Sequence, residues 1–137
     1  MSNLKTIYCC ACKKDVSARL ISGAEVYPHR QDLHNLPFWT CDNCGNFVGC
    51  HHKTSNPTNP LGVIPCSQMK EYRKKIHQIL DPLWKSGKMS RSAVYKMVSD
   101  KVGWEYHTAK IRTLREAKDI VSIAENISAE YYEIDYF

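Results

Sequence analysis

Residues 39–52 read WTCDNCGNFVGCHH and contain the first half of a metal site. Cys41 and Cys44 form a C-x-x-C pair followed by Gly45, a tight turn that directs two thiolates at one point while backbone N–H groups stabilise the sulfur charge. A second C-x-x-C pair stands upstream, and two such pairs joined by a loop are typical of a tetrahedral four-sulfur zinc site. The spacing therefore predicts one structural Zn²⁺ bound by Cys9, Cys12, Cys41 and Cys44.

The alternative to a metal site is a pair of disulfides. The chain has seven cysteines, an odd number, and no signal peptide precedes the first of them. Disulfides are rare in the reducing cytosol, so this cysteine usage favours zinc. No run of about 18 apolar residues is present to span a membrane. We therefore expect a cytoplasmic protein with no membrane partner and no evident small-molecule substrate.

Three cysteines and two histidines lie outside the paired spacing. Cys10 is too close in sequence to its neighbours to share a turn with them, so we expect it to point away from the metal. Cys50 fits a small buried thiol on a strand, and Cys66 has no assigned role. Because four thiolates are already available, His51 and His52 are expected to lie beside the site or on the surface rather than to bind the metal.

The first 52 residues have the strand pattern of a zinc ribbon. Residues 16–21 and 24–28 are β-prone runs around Ser22-Gly23, a pattern that predicts a hairpin. Residues 38–40 and 47–51 are expected to be the strands that enter and leave the second cysteine pair. Residues 53–66 contain three prolines, which exclude regular structure and predict a linker.

Residues 67–130 change to a helical period and are predicted to form three helices. Asp81-Pro82 interrupts the first, either as a kink or as the cap of a new turn. Ser90 is the predicted N-cap of the second helix and Gly103 its end, and residues 113–116 form a capping box for the third. Residues 131–137 are an acidic aromatic tail. The predicted class is α+β, an N-terminal zinc-ribbon-like antiparallel sheet over residues 1–52 followed by a three-helix C-terminal module.

The net charge of +5 is unevenly distributed. Residues 61–118 carry thirteen Lys/Arg against five Asp/Glu, whereas residues 119–137 carry five acids and no Lys/Arg. A basic segment of this kind suits a polyanion, although solvated helix faces have the same composition. No base-reading signature is present, so we expect sequence-nonspecific contact with phosphate. The predicted nucleic-acid-binding residues are Lys70, Arg73, Lys74, His77, Lys85, Arg91 and Lys96.

Ordered motifs along the chain resemble the zinc-finger-containing domain family of bacteria and their phages. The resemblance runs from about Tyr8 to Val121, and this sequence departs from the family pattern at residues 107–109, where His-Thr-Ala stands in place of His-Ile-Gly. The family is described only as a zinc finger of unknown function, but the resemblance implies a phage or mobile-element source. The matching positions are Tyr8-Cys9, Cys12, Val26-Tyr27-Pro28, Arg30, Asp32-Leu33, Trp39-Thr40-Cys41, Cys44-Gly45, Val48-Gly49-Cys50-His51, Leu61-Gly62, Arg73, His77, Asp81-Pro82-Leu83-Trp84, Ser90-Arg91 and Tyr95.

Three classes of function fit these features. The first is a non-catalytic zinc protein that binds nucleic acid or a host nucleic-acid-processing protein. The second is a phage inhibitor that acts by protein–protein contact through the ribbon or the aromatic tail. The third is a ββα-metal nuclease of the four-cysteine type, with Asp32, His34 and Asn46 between the cysteine pairs as a metal carboxylate, a general base and an orienting amide. The sequence lacks the Asp-His doublet of such enzymes, so a polar loop is the favoured interpretation of these residues.

Overall fold

The computed structural model describes residues 3–87 and 89–135 of the chain. Two compact units divide between Cys66 and Ser67. The first unit contains a four-stranded sheet and the second contains three long helices. This arrangement confirms the predicted α+β class.

The sheet of the first unit is antiparallel and has the strand order β1-β2-β3-β4. Strand β1 spans Leu4–Cys9, β2 spans Lys14–Ser22, β3 spans Pro37–Thr40 and β4 spans Phe47–Gly49. Each cysteine pair thus falls at the turn between two neighbouring strands, the first between β1 and β2 and the second between β3 and β4. The sheet brings these two turns to the same end because β2 pairs with β3.

The hairpin predicted around Ser22-Gly23 is wrong. Residues Gly23–Val26 form a single helical turn, α1, and β2 pairs with β1 on one side and with β3 on the other. The Gly23 N–H donates to the carbonyl of Leu36, and a Cβ at this glycine would lie 1.7 Å from the carbonyl oxygen of Leu33. The chain therefore turns away from the sheet here, at a close backbone contact that only glycine permits.

Alternate residues of the strands form the core of the first unit, and residues 53–66 pack against it. Ile64 is fully buried in the same cluster as Trp39. Its N–H donates to the carbonyl of Tyr8, and its own carbonyl accepts from the Cys10 N–H, both at 2.9 Å. The Trp39 indole donates to the carbonyl of Thr58 at 2.6 Å. The segment predicted as a linker thus supplies a buried side chain and backbone hydrogen bonds to the first unit.

The second unit contains α2 (Ser67–Lys85), α3 (Arg91–Val102) and α4 (Leu114–Asp135). Helix α2 continues through Pro82, which lies in its last turns, so no separate capped turn forms at this point. The Ser90 side chain accepts from the Ala93 N–H at 3.0 Å, as predicted for the N-cap of α3. Gly103 ends α3 in the left-handed conformation with φ 84°.

The capping box predicted before α4 is also confirmed. The Thr113 hydroxyl accepts from the Glu116 N–H, and the Glu116 carboxylate accepts from the Thr113 N–H, each at 3.1 Å. Helix α4 extends to Asp135, so the first residues of the predicted tail continue the helix. The last two residues of the tail, and its side chains beyond Tyr131, lie outside the described residues. Within the described ranges, no helix is both long and apolar enough to cross a membrane.

Candidate metal centre and basic face

Four free thiols meet where the two cysteine turns face each other. The sulfurs of Cys9, Cys12, Cys41 and Cys44 all lie within 4.8 Å of one another. The Cys9 and Cys44 sulfurs are 3.6 Å apart, and those of Cys12 and Cys41 are 3.7 Å apart. A regular tetrahedron with Zn–S bonds of about 2.3 Å has sulfurs about 3.8 Å apart. The predicted ligands therefore have both the chemistry and the spacing that zinc requires.

The two turns have the same backbone geometry. The Lys13 N–H donates to the carbonyl of Cys9 at 2.8 Å, and the Gly45 N–H donates to the carbonyl of Cys41 at 2.7 Å. Both donors have positive φ, 59° at Lys13 and 78° at Gly45. Glycine adopts this conformation without steric cost, whereas lysine does not. The C-x-x-C-G sequence therefore predicts the second turn directly, while the first forms with a lysine at the strained position.

The four thiols differ in burial and in acidity. Cys9 and Cys41 are buried, and Cys44 is exposed. Burial raises the pKa of Cys9 to about 12. Burial also acts to raise the pKa of Cys44, but hydrogen bonds from the backbone and side chain of Asn46, together with those from Cys9 and Cys41, outweigh it and hold that pKa at about 7. The Asn46 side-chain amide donates to the Cys44 sulfur at 3.2 Å. Asn46 thus favours the thiolate form, which is the form that binds metal.

The remaining cysteines and histidines near the site are not part of the four-thiol group among the described residues. Cys10 and Cys50 are both buried, and burial raises the pKa of Cys50. His52 Nδ1 lies 3.3 Å from the carbonyl of Cys50. His51 is exposed, and Cys66 is partly buried at the end of the first unit.

Each of the three residues considered for a nuclease site has a partner of its own. Arg30 binds the Asp32 carboxylate through two nitrogens at 2.9 and 2.7 Å, and this hydrogen bonding lowers the pKa of Asp32. His34 Nε2 lies 3.1 Å from the carbonyl of Pro28. Asn46 binds the Cys44 sulfur, as described above. The sequence reasoning missed this last role, although the position two residues after a predicted ligand cysteine was a signal for it.

On α2, the structure separates the predicted nucleic-acid-binding residues into two kinds. Lys70 and Lys74 are exposed. Arg73, in contrast, is partly buried and donates from Nη2 to the carbonyl of Ala109 at 2.8 Å. His77 Nδ1 lies 3.2 Å from the Asp81 carboxylate. The side chains of Arg73 and His77 thus contact groups of the helical unit itself.

Near the junction of α2 and α3, two predicted cations lie over the same aromatic ring. Lys85 Nζ and Arg91 Cζ are each 5.7 Å from the centre of the Trp84 ring. Arg91 Cζ also lies 5.2 Å from the centre of the Tyr95 ring, and its Nη2 donates to the Tyr95 hydroxyl at 3.3 Å. Lys96 lies one position further along α3 and pairs with Asp100 at 3.5 Å. We refer to Trp84, Lys85, Arg91 and Tyr95 as the aromatic–basic cluster.

A small antiparallel sheet that brings two C-x-x-C turns together around four thiols defines a protein of the zinc-finger class. Residues 5–126 match a family described as a zinc-finger-containing domain, and the chain belongs to that family. The match agrees with the resemblance noted in the sequence. Comparison with curated proteins and with solved structures gave no match.

Proposed function

We propose that this chain is a non-catalytic zinc protein whose helical unit binds nucleic acid through phosphate contacts. The four thiols hold one structural zinc ion, and the basic residues of α2 and α3 supply the binding surface. A cytoplasmic location and a phage or mobile-element source belong to the same proposal, the first because the ligand thiols require reducing conditions. The aromatic–basic cluster is the observation that carries the nucleic-acid part.

The small size of the first unit supports a structural role for zinc. A sheet of this size has a small core, and domains of about 60 residues bury too little apolar surface to be more than marginally stable. The four thiols are spaced for a tetrahedral ion, and such binding free energy contributes directly to folding. Removal of zinc by a chelator should therefore unfold the first unit.

The aromatic–basic cluster has the composition that single-stranded nucleic acids require. Proteins that bind single strands combine cations that contact phosphate with aromatic rings on which bases stack. Here Trp84 and Tyr95 lie beside Lys85 and Arg91, contributed by two different helices. Lys74 extends the positive charge along α2, since positions 74 and 85 lie close to the same side of the helix. Phosphate contacts of this kind carry no sequence information.

The test is a fluorescence-anisotropy titration of a labelled single-stranded 12-mer at several salt concentrations. Wild type is compared with Lys74→Ala/Lys85→Ala and with a control, Lys53→Ala, an exposed lysine of the first unit. Log affinity should fall linearly with log salt, and the double variant should lower the slope by about 1.4, since each phosphate contact to a single strand contributes about 0.7. The control should leave the slope unchanged. No binding at low salt, or a double variant that behaves like the control, would refute the proposal and favour a protein partner.

The contacts of Asp32, His34 and Asn46 described above do not favour the nuclease, which stays an alternative hypothesis. Its test is incubation of supercoiled, branched and single-stranded DNA and of RNA with the zinc-loaded protein and added Mg²⁺ or Mn²⁺. We expect no cleavage. Cleavage that disappears in His34→Ala and survives in Lys53→Ala would establish an enzyme.

A further inference from the structure

A cavity of about 620 Å³ lies beside α3 in the helical unit. Its volume is within the range of about 300 to 1,000 Å³ that small-molecule sites occupy. Residues of α3 form one side and the segment that follows α3 forms the other. The lining includes Arg91, Tyr95 and Lys96 from α3, Asp100 from its last turns, and Glu105 and His107 from the following segment.

Charge is distributed along this cavity with opposite signs at its two ends. Arg91 is the first residue of α3, and Asp100 lies nine residues further on, a helical distance of about 13 Å. Glu105 also lines the cavity, and its carboxylate lies 3.3 Å from His107 Nε2. Lys96 lies between the ends and contacts Asp100. A ligand that fits this pattern has an anion at one end and hydrogen-bond donors at the other.

The wall between the two ends is aromatic and is fixed by hydrogen bonds. The Tyr95 and Tyr106 rings are 5.4 Å apart in an edge-to-face arrangement. The Tyr106 N–H donates to the Ser99 hydroxyl, which in turn donates to the carbonyl of Tyr95, both at 2.9 Å. The buried Tyr106 hydroxyl is 2.6 Å from that of Thr108. The cavity is therefore preformed, and the partly exposed Tyr95 provides a ring on which a base can stack.

We propose that this cavity binds one nucleotide of a single-stranded nucleic acid, with its phosphate at Arg91 and the amino group of its base at Asp100 or Glu105. The inference rests on the proposed nucleic-acid binding and assigns the base that this surface accepts. Arg91 belongs to both the cavity and the aromatic–basic cluster. A single-stranded nucleic acid bound to the cluster can therefore continue directly into the cavity.

The acidic end of the cavity distinguishes between bases. An ionised carboxylate only accepts hydrogen bonds. Cytosine presents an amino donor at the position where thymine presents a carbonyl acceptor. A cytosine in the cavity therefore binds Asp100 or Glu105, whereas a thymine places its carbonyl against a carboxylate. The strand as a whole is bound through phosphate, but this one nucleotide position should favour cytosine over thymine.

The experiment compares the affinities of the full-length, zinc-loaded protein for labelled oligo(dC) and oligo(dT) 12-mers at neutral pH and one fixed salt concentration. Wild type should bind the cytosine strand about five- to tenfold more tightly, the low end of the discrimination that one base contact provides. In Asp100→Asn/Glu105→Gln the ratio should fall to about one, because an amide can donate to the thymine carbonyl as well as accept from the cytosine amine.

A matched control removes the same charge elsewhere. Glu125→Gln/Glu130→Gln neutralises two exposed carboxylates of α4 that do not line the cavity. Both double variants should bind all strands more tightly, because two negative charges are lost, but only the cavity variant should lose the preference for cytosine.

Four outcomes overturn the inference. Equal binding of the two strands by wild type, or a cavity variant that keeps the cytosine preference, would refute the base contact and leave the proposed nucleic-acid binding intact. A control variant that loses the preference as fully as the cavity variant would assign it to overall charge instead. Absence of binding to either strand would refute the proposed function itself, and the inference with it.

Discussion

Replacing Asn46 with alanine should weaken zinc binding about tenfold. The Asn46 amide donates to the Cys44 sulfur at 3.2 Å, and a hydrogen bond to a charged acceptor contributes about 1.5 to 3 kcal/mol. Cys44 is exposed, so solvent screening places the effect at the low end of this range. A loss of about 1.4 kcal/mol corresponds to a tenfold change in affinity, which agrees with the effect of removing an outer partner of a metal ligand.

The alanine variant isolates the side chain because the backbone of Asn46 remains in place. The Asn46 carbonyl accepts from the Cys41 N–H at 2.8 Å, and alanine keeps this contact. The matched control is Asn43→Ala, which removes an exposed amide from between the two cysteines of the same turn. Zinc affinity is measured by competition with a chromogenic chelator, and the circular dichroism of both variants establishes that the fold is retained.

The two variants should differ clearly. Asn43→Ala should match wild type, and Asn46→Asp should bind zinc more weakly than Asn46→Ala because it places a carboxylate without an N–H beside the thiolate. An Asn46→Ala affinity within about twofold of the Asn43→Ala value, well short of the effect expected for an outer partner, would refute the assigned role.

Three further predictions concern stability and ligand identity. Cys44→Ser should lose zinc by elemental analysis and unfold the first unit, whereas Cys50→Ser should keep a full equivalent of metal; zinc retention by the first variant would refute the ligand set. Gly45→Ala should destabilise the zinc-loaded protein to thermal unfolding by about 1 kcal/mol because alanine resists the φ of 78°, and an unchanged melting temperature would contradict the turn geometry. Arg73→Ala should lower the stability of the helical unit by about 1 to 3 kcal/mol, since the carbonyl of Ala109 loses its donor. The same variant should leave the salt slope of binding unchanged, and a slope reduced as in a lysine variant would place Arg73 against phosphate.

Local features of the chain could be predicted from the sequence. The four candidate ligand cysteines follow from their spacing in the sequence, and in the structure their sulfurs all lie within 4.8 Å of one another. Ser90, Gly103 and the capping box at Thr113 were identified because helix ends are specified by residues within one turn. The information for these features lies in a few neighbouring residues.

Features that depend on distant pairing were missed. Strand β1 is an edge strand with exposed polar residues, and Leu4 keeps 54% of its surface exposed, so its sequence lacks the alternation that marks a half-buried strand. Without β1 as a partner, the residues after Ser22 were assigned to a hairpin. The cavity beside α3 was missed for the same reason, because its aromatic wall depends on contacts between Tyr95 and Tyr106 that helical spacing does not reveal.

The packing of Ile64 beside the first cysteine pair has a consequence for synthesis on the ribosome. All four thiols are available once residue 44 has emerged, but the hydrogen bonds between Ile64 and the residues flanking Cys9 require twenty more residues. Contacts of such sequence separation form late, after the entropy of closing the loop has been overcome. A nascent chain that ends near residue 52 can therefore capture its metal before its core is complete. In such a chain a bound ion would hold the two turns together before residue 64 covers the sheet.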